Sequence, residues 1–181
     1  MGTQRTATQP RQVIETPQMD SEHWRIRTNL RPGDIGYLIY LHGILYAKEY
    51  EWDYTFEGYV AESLTKSIPS LDEGTGCLWI AEIDGKTIGS IGIVRYSDSE
   101  AQLRWFLVHP DHRGHGVGRA LLKRALQFSR DRGFKRVFLW TVSDLKIATH
   151  LYEVAGFRKT EEKTHQLWGR MITEERYELP L

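Results

Sequence analysis

The stretch from Leu103 to Leu126 constrains this chain more than any other part of its sequence. It opens with the apolar run Leu103–Val108, which is too short for a helix and has the length of a strand. Pro110 ends that strand, because proline removes a ladder donor. Three alternate glycines follow at 114–118, and an amphipathic helix begins directly behind them. The order of strand, glycine-rich turn and helix predicts an anion-binding site at the helix start.

This helix start is suited to a phosphorylated cofactor. Unpaired N–H groups at a helix N-terminus point outward, the helix dipole adds about half a positive charge, and glycines let a phosphate approach closely. Arg113 adds a cation at the edge of the turn. The alternative is a turn whose glycines only allow the helix to pack tightly on the strand.

Two other phosphate-binding patterns fit the turn less well. A P-loop requires Gly-Lys-Ser/Thr at its end, whereas Arg119 and Ala120 follow the last glycine here. A dinucleotide fingerprint needs its third glycine where Arg119 stands and an acidic residue after the next strand. Asp144 does follow the next strand, so a dinucleotide site stays open as an alternative.

Two ordered motifs resemble those of the GNAT family of N-acetyltransferases. The first, Arg113–Gly118, reads Arg-x-x-Gly-x-Gly and resembles the acyl-CoA-binding motif of that family. The second, Ala148–Phe157, resembles the family's A-x-x-LYE-x-x-GF segment, and a predicted helix and strand separate the two as the family requires. The resemblance covers about Trp24 to Leu181.

Within the family, two further segments resemble the acetyltransferase domain found fused to MarR-type bacterial regulators. They are PGDIGYLIYLHGILYAKEYEWD at 32–53 and HQLWGR at 165–170. We expect a bacterial protein without the winged-helix half, in which the acetyltransferase domain fills 23–181 behind a mobile polar tail at 1–22.

The resemblance implies an α/β fold with a mixed, mostly antiparallel sheet of about six to seven strands. The sheet is expected to splay in the middle, between Leu103–Val108 and Arg136–Thr141, and to be flanked by about four helices. The residue pattern agrees, since strands and helices alternate and Asp84-Gly85 predicts a hairpin turn. We expect the first helix to be capped by Asp34 and the second to stop at Pro69.

The resemblance also implies acetyl-CoA as co-substrate and a primary amine, in a small molecule or a peptide or protein, as acceptor. The amine would attack directly in a ternary complex. Pantetheine would pair with the backbone of Phe106, Leu107 and Val108. The expected pyrophosphate contacts are Arg113, Gly114, His115, Gly116, Val117, Gly118 and Arg119.

Tyr152 occupies the position of the family's tyrosine acid, and a phenol with a pKa near 10 can protonate a thiolate of similar basicity. The alternative is a tyrosine that only packs. Many relatives carry an asparagine where Leu145 stands, and some carry a glutamate base where Trp140 stands. The candidates for the general base are therefore Glu49 and His42 on the first helix. The alternative for Glu49 is an ordinary solvated side chain.

His109, His112 and His115 raise the question of a metal site, because three imidazoles can bind zinc. They span a strand end, a loop and the turn, and would point in different directions. We therefore expect no metal.

The chain has no net charge that would attract it to a charged partner. Lys+Arg and Asp+Glu both number 24, which favours neither nucleic acid nor a membrane surface. The single cysteine, Cys77, fits a reducing compartment, so a cytoplasmic location is expected. Core packing explains some of the aromatic residues around the first helix, and the others could line an acceptor pocket or form a homodimer surface.

Two functions from different classes remain at this point. One is an acetyl-CoA-dependent N-acetyltransferase, and the other is a module that holds acyl-CoA without turnover. An intact 113–118 turn predicts cofactor binding under both, whereas only the enzyme needs Tyr152 and a base. The identity of the amine cannot be read from the sequence, because variable helices and loops select it.

Overall fold

A computed structural model describes residues 24–181, so the predicted tail at 1–22 lies outside the described residues. The strands are β1 (Arg25–Arg27), β2 (Cys77–Ile83), β3 (Lys86–Arg95), β4 (Glu100–Val108), β5 (Arg136–Val142), β6 (Arg158–Leu167) and β7 (Arg170–Pro180). The α-helices are α1 (Asp34–Tyr50), α2 (Tyr54–Asp72), α3 (Val117–Asp131) and α4 (Lys146–Val154).

The seven strands form one sheet in the order β1-β2-β3-β4-β5-β7-β6. All neighbouring pairs in it are antiparallel except β4 with β5, which are parallel. This confirms the predicted mixed, mostly antiparallel sheet with four flanking α-helices. The hairpin between β2 and β3 is confirmed as well, because Asp84 and Gly85 both have the positive φ that such a two-residue turn requires.

Two predicted helix boundaries are wrong. Asp34 is the first residue of α1 rather than its cap, and Gly33 occupies the cap position with φ 97°. The Asp34 carboxylate instead accepts hydrogen bonds from the Arg31 N–H at 2.7 Å and from the Arg27 guanidinium. Pro69 lies inside α2, which continues to Asp72, because Leu71 packs against the hydrophobic core and holds the last turn in place.

The sheet splays between β4 and β5, as expected. The two strands pair only from Glu100 to Gln102, opposite Arg136 to Phe138. From Leu103 onward, β4 pairs with β3 alone in the described part of the chain. Backbone groups on the other edge of β4 are therefore left to face a gap.

Each face of the sheet has its own core. Alternate side chains of a strand point to opposite faces, so Ala81 packs with α3 and the neighbouring Ile80 packs with α2. The face under α3 also buries Tyr152 of α4. Because α1 and α2 cover one face while α3 and α4 cover the other, the gap in the sheet is bordered by helices from both sides.

Candidate active site

A groove follows the unpaired edge of β4, and we call it the β4 groove. It encloses about 670 Å³, including solvent at its mouth. Its lining residues are Phe106, Leu107 and Val108 of β4, Arg113, Gly114 and Gly118 of the turn, Leu145, Ile147, Ala148 and Leu151 around α4, and Tyr46 and Tyr50 of α1. Six of the ten predicted cofactor residues thus line one groove.

The four remaining predicted cofactor residues belong to the same turn. His115, Gly116 and Arg119 are exposed there, and Val117 begins α3 with its side chain buried. The His115 Nδ1 lies 2.9 Å from the Arg113 carbonyl oxygen, to which it can donate a hydrogen bond. None of them lines the β4 groove, and their part in cofactor binding stays a prediction.

The glycines of the turn serve two different purposes. Gly114 and Gly116 have φ 79° and 84°, in the left-handed region that glycine reaches without strain. A Cβ at either position would meet nothing within 4 Å, so open space lies in front of the turn. At Gly118 a Cβ would lie 3.3 Å from both Leu151 and Phe106, which shows that this glycine allows close packing. The space and the helix start together fit the pyrophosphate of a cofactor.

Arg113 is fixed from two directions. Its Nε donates to the Val108 carbonyl oxygen at 3.0 Å, and its two terminal nitrogens donate to the two carboxylate oxygens of Glu49 at 2.7 and 2.8 Å. The hydrogen bonds with Glu49 raise the pKa of Arg113 above its ordinary value. Glu49 lines neither of the two cavities described here. Its predicted role as the base stays a prediction, and the ion pair gives it a second candidate role in holding Arg113.

A second space, which we call the aromatic cavity, lies on the α1–α2 side of β4. It encloses about 760 Å³, again including solvent at its mouth. Its aromatic walls are His42, Tyr46, Trp52, Phe56, Tyr59, Trp105, Phe106, Trp140, Tyr152 and Trp168. Tyr46, Phe106, Leu145 and Ala148 line both this cavity and the β4 groove, so the two spaces meet at these side chains.

Tyr152 lies close to this junction. It is 5% exposed, and its ring centroid is 5.8 Å from that of Phe106. Burial raises the pKa of Tyr152 above its usual value, so its hydroxyl stays protonated over the physiological pH range. Tyr152 lines the aromatic cavity. A protonated hydroxyl at this place could donate a proton to a leaving group.

A β-bulge in β4 shapes the junction, and the sequence analysis missed it. Ser90 pairs with Leu107 and Gly92 pairs with Arg104, so Ile91 alone opposes two residues of β4. One of these is Trp105, which has φ 49°. A bulge bends its strand and redirects the following side chains, which here are those beside the groove. A signal was present in the sequence, since a glycine inside a strand often marks a bulge or a close approach.

The bulge is held by specific contacts of Trp105. Its carbonyl oxygen accepts a hydrogen bond from the Ser90 hydroxyl at 2.7 Å, and its indole Nε1 donates to the Ser63 hydroxyl oxygen at 2.8 Å. The indole ring lies so close to Gly92 that a Cβ there would be 2.4 Å from it. The positive φ of Trp105 is therefore maintained by β3 and α2.

The two departures from the family motifs both face the cavities. Trp140 lines the aromatic cavity, with the Lys163 ammonium 4.4 Å from its ring centroid. Leu145 stands at the cap position of α4 and forms no side-chain cap hydrogen bond there. An acid that sequence reasoning missed, Glu174, also lines the aromatic cavity, but it is bound by His165 at 2.7 Å and by Lys163 at 3.4 Å.

Residues 24–181 contain neither a cluster of metal-ligating side chains nor a membrane-spanning helix. No group of three or more His, Cys, Asp or Glu side chains in this part of the chain is placed to hold a metal ion. Among the helices of the same residues, none combines the length and the apolar character needed to cross a bilayer.

Comparison with protein families gives a match over most of the described chain. The model of the acetyltransferase (GNAT) family matches residues 44–157, which contain α1 from Ile44, both motifs and the junction. The chain is 35% identical over 114 residues to human N-acetyltransferase 8B, a match that covers 60% of this chain and 49% of that protein. It therefore spans about half the length of the curated relatives it matches.

Solved structures share the fold. An acetyltransferase from Streptococcus agalactiae aligns with a TM-score of 0.69 at 24% identity, covering 89% of this chain and all (100%) of that one. A GNAT family acetyltransferase from Elizabethkingia anophelis, solved with acetyl-CoA bound, aligns with a TM-score of 0.63 at 16% identity and with coverages of 89% and 100%. At these identities the likeness shows the fold alone.

These matches do not test the predictions about origin, location and oligomeric state. Curated relatives of the chain include proteins of human and of Xenopus tropicalis, so they do not show the expected bacterial origin. The resemblance to MarR-fused domains, the cytoplasmic location and the homodimer likewise stay predictions.

Proposed function

Because the chain belongs to the GNAT family of acetyltransferases, we propose that it transfers the acetyl group of acetyl-CoA to a primary amine. The amine, in a small molecule or in a peptide or protein, attacks directly while both substrates are bound. The bond between carbonyl carbon and sulfur breaks, a bond between carbonyl carbon and nitrogen forms, and the products are an N-acetylated amine and the thiol CoA. The proton lost by the nitrogen passes to solvent.

The observation that carries this proposal is the junction of two cavities. The β4 groove combines an unpaired strand edge with a helix start, which suits an extended phosphorylated cofactor. The aromatic cavity opens onto it at Tyr46 and Phe106 and offers a separate place for an acceptor. Two substrates in contact at one point are what direct transfer requires. Cys77 lies on β2 and lines neither cavity, so a covalent acetyl-cysteine step has no support in the geometry.

Tyr152 supplies the proton to the departing thiolate in this scheme. Its raised pKa makes it a weaker acid than a phenol in water, but a thiolate leaving in the same buried place is also destabilised by the loss of solvent. The two effects act on the proton transfer in opposite directions. The phenol then regains its proton from solvent.

The residues of the groove fit acetyl-CoA. Backbone N–H groups at the start of α3 and the open space in front of Gly114 and Gly116 would hold the pyrophosphate. Arg113 stands beside them with its remaining N–H groups, since Val108 and Glu49 engage only part of its donors. The thioester of the bound molecule supplies the reactive acyl group.

A module that binds acyl-CoA without turnover is the second candidate, and one observation favours it. The carboxylates near the junction are already paired, Glu49 with Arg113 and Glu174 with His165 and Lys163. No unpaired carboxylate among the residues that line the two cavities is therefore ready to accept the amine proton.

Thiol release from acetyl-CoA across a panel of primary amines separates the two functions. The panel should include alkylamines, arylalkylamines, amino acids and short peptides, and each reaction should be run against a blank without amine. An enzyme releases CoA only when a suitable amine is present, and the acetylated amine appears in equal amount. Saturable acetyl-CoA binding with no amine-dependent release over the whole panel would overturn the proposal in favour of the binding module.

A further inference from the structure

His42 is a buried imidazole for which the proposed reaction has no role so far. It lies on α1, is 3% exposed and lines the aromatic cavity. Its Nδ1 is 2.8 Å from the carbonyl oxygen of Leu38, one turn earlier in the same helix. A carbonyl oxygen can only accept, so Nδ1 carries the proton and Nε2 presents a lone pair.

That lone pair has no partner. Nε2 of His42 is a buried atom without any hydrogen bond within the part of the chain that the structure describes. Leaving a buried polar atom unpaired costs about 1–3 kcal/mol, and natural proteins rarely accept this cost without a reason. A ligand that brings an N–H into the cavity would remove the cost.

A second polar atom on the wall of the same cavity is also unpaired. The indole Nε1 of Trp52 is buried without a hydrogen bond in residues 24–181. The rings of His42 and Trp52 both contact Phe56, with centroids 6.5 and 4.6 Å away, so they flank the same stretch of wall. One unpaired acceptor and one unpaired donor in a wall of aromatic rings are expected where a ligand with both an apolar body and polar atoms binds.

The position of His42 along α1 relates it to the reacting atoms. Glu49 holds Arg113 at the glycine turn, Tyr46 lies at the junction, and His42 faces the aromatic cavity. Residues three or four apart share one face of a helix, so these side chains follow one another along α1. From Glu49 to His42 the helix advances by about 10 Å. His42 is thus one helical turn from the junction, on the acceptor side.

We propose that Nε2 of His42 accepts a hydrogen bond from the N–H of the acceptor, and that the acceptors are primary amines carrying an aromatic ring that packs against the cavity walls. Trp52 offers its N–H to an oxygen of the same molecule where there is one. This inference rests on the proposed function, because the aromatic cavity is an acceptor site only if the chain transfers acetyl groups.

Burial lowers the pKa of His42 to about 4, which suits a hydrogen-bond acceptor better than a general base. The imidazole stays neutral at neutral pH and orients the amine, while the released proton leaves for solvent. His42 therefore positions the nucleophile, and the bonds that form and break are those already given for the transfer.

A pair of variants tests the role of Nε2. His42→Asn can still donate to the Leu38 carbonyl oxygen but has no atom at the place of Nε2, whereas His42→Gln can bring an amide oxygen close to that place. With 2-phenylethylamine as the acceptor, we expect kcat/KM for the amine to fall about 10-fold in His42→Asn and to recover partly in His42→Gln, as for one lost hydrogen bond. The affinity for acetyl-CoA, measured by calorimetry, should stay within threefold in both, which also checks that they fold.

A measurement on the unaltered protein covers the case in which the variants do not fold or no turnover is found. The ¹⁵N resonance of His42 Nε2 should move towards the hydrogen-bonded range when 2-phenylethylamine is added in the presence of CoA, and cyclohexane-based or purely aliphatic amines should move it less. Absence of turnover together with this shift would reject the enzyme but keep the amine site. An unmoved resonance, or variants with unchanged amine kinetics, would show that His42 only packs in the core.

Discussion

Glu49 and Arg113 form a two-point ion pair, in which each carboxylate oxygen accepts a hydrogen bond from one terminal nitrogen of the guanidinium, at 2.7 and 2.8 Å. The two residues are 64 positions apart in sequence, and the pair ties α1 to the glycine turn. Such forked pairs are stronger and more directional than single hydrogen bonds. The pair thus links the helix that borders the acceptor side to the turn that is proposed to bind pyrophosphate.

The variant Glu49→Gln separates the two candidate roles of Glu49, which are to hold Arg113 in place and to act as the base. Both carboxylate oxygens are already engaged by a cation, so we expect any acid limb of the pH–rate profile to persist in this variant. Acetyl-CoA affinity should change by less than about tenfold, because the weaker hold on Arg113 opposes the removal of a negative charge near the cofactor. An acid limb that vanishes would instead assign the base to Glu49. Arg113→Gln is the control, and it should weaken acetyl-CoA binding by more than about tenfold.

Two substitutions at Gly116 test the anion site with matched shape. Gly116→Asp and Gly116→Asn both introduce a residue that tolerates the left-handed φ, and the two differ mainly in one negative charge. A charge next to the pyrophosphate costs about 1–4 kcal/mol, so Gly116→Asp should bind acetyl-CoA about 5- to 1000-fold more weakly than Gly116→Asn. Calorimetric titration measures both. Equal affinities would place the pyrophosphate elsewhere.

Tyr152→Phe removes only the hydroxyl proposed to protonate the thiolate. We expect kcat to fall by about 10²–10⁴-fold with little change in acetyl-CoA affinity. Tyr177→Phe is a matched control, because Tyr177 is also buried and lies beside Tyr152, but its hydroxyl donates to Glu175 at 3.3 Å. Similar rates in the two variants would reduce Tyr152 to a packing residue, and equal losses of rate and affinity would make it a cofactor contact.

The buried His42 predicts a loss of stability in acid. Its pKa is lowered to about 4 in the folded chain and is near 6.5 when unfolded, so between these values the unfolded state binds more protons. The free energy of unfolding should therefore decrease as the pH falls from 7 to 4, by about 3 kcal/mol from this residue. Urea unfolding of the unaltered protein and of His42→Gln at each pH isolates the contribution of His42, because all other titrating groups are present in both proteins. Parallel pH dependences would contradict the assigned burial.

Sequence reasoning reached what local patterns and a family resemblance encode. The turn around Gly116 and the hairpin at Asp84-Gly85 follow from glycine placement. The splay between β4 and β5 is implied by the family resemblance that the two ordered motifs carry. It failed where distant side chains decide the outcome. The Glu49–Arg113 pair and the bulge at Trp105 depend on contacts across the fold, with α2 and β3 fixing the bulge through Ser63 and Ser90.

The same distinction explains the two wrong helix boundaries. Asp34 looked like a cap by residue type, but Arg27 and the Arg31 N–H engage its carboxylate at the first helical position. Proline usually ends a helix. At Pro69 the packing of Leu71 outweighs that local preference.

The most direct measurement uses one molecule that fills both cavities. In this conjugate the sulfur of CoA is joined through an acetyl bridge to the nitrogen of 2-phenylethylamine, and its affinity is compared with that of CoA alone by calorimetry. If transfer takes place where the β4 groove meets the aromatic cavity, the conjugate should bind at least about 100-fold more tightly, because both ends are then held at once. An affinity equal to that of CoA would contradict the junction as the place of acetyl transfer.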